Sequence, residues 1–134
     1  MLKDLFNVYY EKVKTWEGIE EICNGSEALR ECFGKELTEK CMNFKDFLYF
    51  RNSMYDRIYV TNFLQVDYYC HQGNEILKNN YDCLIDKFPN FEHRLDDNPQ
   101  CEERFKFFES ATKRTARECG IKAACFTKTM YALE

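Results

Sequence analysis

Only two prolines and five glycines punctuate this 134-residue chain. Tight turns rely on such residues, so their scarcity argues against a fold of many short strands. No run of 18 apolar residues occurs, so no membrane insertion is expected. Nothing at the start reads as a secretion leader: Met1-Leu2-Lys3-Asp4 opens a polar amphipathic stretch without an apolar centre. For a secreted chain, Met1 is then expected to be a start that stands in place of a removed leader. An excess of positive charge is missing too. Nineteen Lys and Arg face 23 Asp and Glu, net −4, which argues against a dedicated nucleic-acid binder.

What is present is one domain's worth of chain, residues 1–134, with 45% apolar and 31% charged residues. That balance builds a buried core rather than a disordered tail. Cysteine is abundant: Cys23, Cys32, Cys41, Cys70, Cys83, Cys101, Cys119 and Cys125. No C-x-x-C pair occurs, and His71 and His93 are too far apart to complete a zinc site, so no metal and no cofactor are expected. An even count at wide spacings reads most economically as four disulfides formed in an oxidising, extracellular compartment. The sequon Asn24-Gly25-Ser26 fits that compartment, because its glycine places it in a turn, and Asn24 is the candidate glycosylation site.

Hydrophobic periodicity is helical almost throughout. Leu2, Leu5, Phe6, Tyr9, Val13, Trp16, Ile19 and Ile22 form one stripe, which Asn24-Gly25 is expected to break. Ser26 then caps a short helix ending at Gly34, with a further turn or two from Lys35 to Cys41. A long helical pattern runs from Asn43 to Phe88 and needs dividing, either at the β-branched patch Ile58–Thr61 or at Gly73-Asn74. Residues 89–98 read as the one extended loop, and Asn98-Pro99 as the N-cap and first position of the next helix. Cys101, Phe105, Phe108, Thr112, Ala116 and Cys119 stripe that helix, Gly120 ends it, and Ile121 to about Ala132 forms the last. The prediction is an all-α domain, a compact disulfide-stapled bundle of five to seven helices.

Helix geometry limits the disulfides without fixing them. Cys101 and Cys119 lie about 27 Å apart in one helix and cannot pair, and Cys70 and Cys83 would be about 20 Å apart in a continuous one. Cys119 and Cys125 flank Gly120, so a local pair and two separate staples both stay open. Eight cysteines allow 105 connectivities.

The ladder Ile22-Cys23, Ala28-Leu29, Cys32-Phe33, Cys41, Tyr69-Cys70, Tyr81-Asp82-Cys83-Leu84, Cys101, Cys119, Cys125 resembles a secreted, cysteine-rich helical domain of unknown function that is expanded in nematodes. The aromatic-Cys…Cys-Leu segment is also similar to helical hemolymph glycoproteins of arthropods. The resemblance covers residues 20–134 and rests on cysteine spacing and periodicity. It implies an extracellular helical disulfide domain and brings no catalytic residues.

Catalytic patterns are missing. Ser26, Ser53 and Ser110 stand in no nucleophile-elbow setting, and Tyr69-Cys70-His71-Gln72-Gly73 lacks the phospholipase pattern C-C-x-x-H-D. The C-x3-C of the lysozyme class is absent, and Asp96, Asp97 and Asn98 match no calcium loop. The chain is therefore not expected to be an enzyme.

Two features point instead to binding. Residues 15–39 set seven glutamates against Arg30 and Lys35, while residues 104–128 set seven basic residues against Glu109 and Glu118. Such polarity steers charged partners, unless the two segments simply neighbour each other in the fold. The second feature is an aromatic content of 16%, placed on more than one helical face. The surplus either fills the core, lines a ligand cavity or meets a protein partner. The leading expectation is a secreted, non-catalytic protein-recognition module of receptor-ligand, adhesion or effector type. Its expected contacts are Tyr9, Tyr10, Tyr49, Tyr55, Tyr59, Lys113, Arg114 and Arg117. The alternative is an extracellular carrier that holds a small apolar ligand between helices.

Overall fold

The computed structural model describes residues 8, 9, 11–42, 45, 54–85 and 101–133. Six helices and no strand occur among them: α1 (Trp16–Cys41), α2 (Met54–Cys70), α3 (Asn74–Asn79), α4 (Tyr81–Leu84), α5 (Cys101–Cys119) and α6 (Ile121–Ala132). The fold is all-α and disulfide-bonded, as the periodicity predicts.

Thr15 starts α1. Its backbone is extended (φ −131°, ψ 149°) and its hydroxyl accepts from the Gly18 N–H at 3.1 Å, a side-chain N-cap. The preceding chain then closes tightly over the helix. A Cβ on Gly18 would stand 2.0 Å from the Lys12 carbonyl oxygen, so only glycine fits there.

Asn24-Gly25 does not break this helix, contrary to the sequence reading. Helix continues through both residues, and the interruption falls at Gly34, whose φ of 72° and ψ of 160° leave helical space. The cause is tertiary. Ile19, Ile22 and Cys23 pack into the core, and Arg30 then pairs with Asp67 of α2, so the inward stripe spans the glycine and outweighs its cost.

The long pattern from residue 43 divides at Gly73, one of the two expected points, while Ile58–Thr61 stays helical. Gly73 is required by close approach: a Cβ there would lie 2.8 Å from the Tyr68 ring and 2.9 Å from that of Phe126. A second division at Asn80 separates α3 from α4, with the Asn80 amide donating to the Ile76 carbonyl at 2.8 Å. Gly120, at φ 90°, reverses the chain between α5 and α6 as predicted. The segment 89–98 and the cap Asn98-Pro99 lie outside the described residues.

Packing follows from these breaks. α1 lies on α2, α3 touches α2 and α6, α4 meets α5, and α5 and α6 form a long antiparallel hairpin. The core gathers Ile19, Tyr69, Leu77, Leu84, Ala123, Phe126 and Met130 from five of the six helices. Two disulfides clamp it: Cys23–Cys70 joins α1 to the end of α2, and Cys83–Cys119 joins α4 to the end of α5. Their Cα separations, 5.3 and 5.8 Å, are ordinary for a disulfide. Cys70 and Cys83 each reach a different element, the outcome the helix-length argument favours. Cys32 and Cys125 correct the expectation that all eight cysteines pair: both are exposed free thiols on outward helix faces. The Cys41 and Cys101 side chains lie outside the described residues.

Candidate recognition surface

Helix α6 carries its apolar load on one side only. Ala123, Ala124, Phe126, Thr127, Met130 and Tyr131 are buried, and the opposite stripe of Ile121, Lys122, Cys125 and Lys128 is exposed. The helix holds no acidic residue, and no side chain caps its N-terminus at Gly120. Ile121 is 73% exposed, an apolar side chain at the corner between the two hairpin helices. On the α5 side of that corner stand Arg114 and Arg117, both exposed. None of Arg114, Arg117, Lys122 and Lys128 forms an ion pair among the described residues. With Glu118 as the one acid beside them, these exposed cations leave the corner net positive.

Lys113 differs from its neighbours. Its ammonium donates to Glu109 at 2.7 Å, one turn earlier, and that contact holds the Glu109 carboxyl below its ordinary range. Lys106 is answered in the same way by Glu102 at 2.8 Å. The first half of α5 thus neutralises itself, and the free positive charge collects at its end.

The predicted tyrosine contacts divide. Tyr59 is exposed at 45%. Tyr9 is not a surface contact: it packs partly buried against the core and faces Tyr69. Burial pushes both phenols up, through loss of hydration. The correction has a simple cause, since Tyr9 belongs to the same apolar stripe as Val13 and Trp16. Tyr10 and Tyr49, and the Tyr55 side chain, lie outside the described residues.

Most described aromatics meet one another. Trp16 meets Tyr81 edge-on at 5.7 Å, Tyr68 meets Phe126 at 5.5 Å, and Phe108 stacks on Tyr131 at 4.4 Å. Phe105 is 71% exposed, on the first half of α5. Lys122 and Lys128 belong to the basic segment that the sequence marks, but neither they nor Ile121 are among its expected contacts. Their signal was the absence of any acid from Ile121 to Ala132, which marks a helix with one uniformly cationic face.

Acidic charge sits on α1. Glu17, Glu20, Glu21, Glu27, Glu31, Glu36 and Glu39 are all exposed. Asn24 is exposed on the same helix, within helical backbone rather than in a turn. Where α1 crosses α2, Arg30 pairs with Asp67, and His71 lies between Asp67 and Glu27, with its ring nitrogens 3.5 and 3.4 Å from their carboxylates. His71 thus flanks the Cys23–Cys70 disulfide as part of a helix-crossing network. Among the described residues, no cluster of three His, Cys, Asp or Glu side chains is arranged to hold a metal ion. No described helix is long and apolar enough to cross a membrane. No family model matches the chain, and neither the curated proteins nor the solved structures contain a match.

Proposed function

We propose that this protein is a secreted, non-catalytic recognition module that binds an acidic protein surface. The observation that carries this reading is the corner between α5 and α6, where exposed Arg114, Arg117 and Lys122 outnumber the single acid Glu118 beside the exposed Ile121. Exposed cations around one apolar anchor favour fast, charge-steered association. The two disulfides favour an oxidising compartment.

The test begins with protein secreted from eukaryotic cells and screened against a panel of extracellular proteins. For any partner found, Arg114→Glu with Arg117→Glu is expected to slow association about tenfold at low salt, with dissociation little changed. Binding that ignores both the reversal and the ionic strength would remove the reading. Native mass spectrometry of the same material checks the carrier alternative: an adduct lost on organic extraction would put a ligand cavity in place of the surface.

A further inference from the structure

We propose that the partner of the α6 face is the outward face of α1 in a second copy of this chain. The idea rests on the recognition reading above and names its partner. Over residues 16–33, α1 turns Ile19, Ile22, Cys23 and Arg30 inward, leaving Glu17, Glu20, Glu21 and Glu31 outside. The one basic residue of that stretch is Arg30, and Asp67 holds it on the inner side. Glu21 takes Lys12 from the preceding segment and Glu20 accepts from the Trp16 indole, but Glu17 and Glu31 form no ion pair among the described residues. Lys122 and Lys128, on the outward stripe of α6, form none among the described residues either.

The two stripes cannot satisfy each other within one molecule. α1 and α6 both give their inward faces to the same core, Ile19 from one and Ala123 and Phe126 from the other, so their outward faces point away from each other. Each molecule then offers one acidic and one cationic helix face, which is head-to-tail complementarity. Repetition of such a contact closes into a ring or runs on as a chain of subunits. Two helix faces make a small interface, so the association is weak and salt-sensitive.

Sedimentation velocity tests this on the oxidised chain carrying Asn24→Gln, which keeps a glycan off the α1 face, with non-reducing gels used to discard covalent dimers. The expected result is concentration-dependent association at about 20 mM salt that weakens at least tenfold by about 500 mM. Lys122→Glu with Lys128→Glu, and separately Glu17→Lys with Glu31→Lys, should each remain monomeric with an unchanged helical circular dichroism spectrum. Mixing the two variants should restore association, because each then supplies the charge the other lacks. A chain that stays monomeric up to about 1 mM overturns the proposal, as does association that persists at high salt or a mixture that fails to recover. The panel test of outside partners reads independently of all these outcomes.

Discussion

Tyr69 buries a hydroxyl that makes no well-formed hydrogen bond, although the Tyr9 phenol faces it across the core. A buried polar group in that position costs stability rather than adding to it. Tyr69→Phe is therefore expected to leave the stability unchanged or raise it by up to about 1 kcal/mol, whereas Tyr69→Ala should lose about 3–5 kcal/mol through the cavity it opens. Urea unfolding of both variants separates the two effects. The phenols of Tyr9, Tyr69 and Tyr81 are all pushed up, chiefly by burial, with Glu17 and Asp82 adding repulsion at Tyr81. Below about pH 10 the folded and unfolded chains hold these protons equally, and stability does not depend on them. Above it the unfolded chain releases protons that the folded chain keeps, so stability falls as pH rises. Urea midpoints at pH 9 and pH 11 should show that fall, and Tyr69→Phe should reduce it.

Glycines decide where the elements end, and three of them behave differently. Gly25 lies within α1 with open space where a Cβ would go, so Gly25→Ala should stabilise by about 0.5–1 kcal/mol. Gly34 and Gly120 sit at φ 72° and 90°, where L side chains are strained, and Gly120→Ala should cost about 1–3 kcal/mol. Thermal unfolding of the alanine variants reads both signs. The same comparison explains what was legible in the sequence. Gly120 stands between two complete apolar stripes, so the α5–α6 hairpin could be read residue by residue. Gly25 and Gly34 look alike in the chain. Only the packing of Ile22 and Cys23 on one side of Gly25, and of Arg30 on the other, carries the helix through it. Tyr9 was misplaced for a related reason: a tyrosine on an apolar stripe gives no sign of whether another element will cover it.

At the scale of the whole molecule, the staples are the features the sequence could bound but not choose. Helix length excluded a Cys101–Cys119 bond and favoured separate partners for Cys70 and Cys83, yet those partners depend on how α1 lies on α2 and α4 on α5. The bridges span 47 and 36 residues, and replacing either pair by serine should cost about 4 kcal/mol on chain-entropy grounds. The two losses should add, because the cross-links lie in separate loops. Denaturant unfolding of Cys23→Ser with Cys70→Ser, of Cys83→Ser with Cys119→Ser, and of the quadruple variant measures this directly. The charge polarity read from the sequence persists in three dimensions as an acidic α1 and a cationic α6, because each turns its apolar side to the shared core.

Among the described residues the two covalent loops follow one another along the chain without interlacing, since the first closes at Cys70 before the second opens at Cys83. A load applied at the two ends therefore passes through each S–S bond in series. The bridged stretches, with sequence separations of 47 and 36, add no length under tension, which hides roughly 290 Å of contour at about 3.5 Å per residue. A reductant that opens one bridge would release its own share of slack and leave the other locked, so stretching traces should lengthen in two discrete, unequal steps.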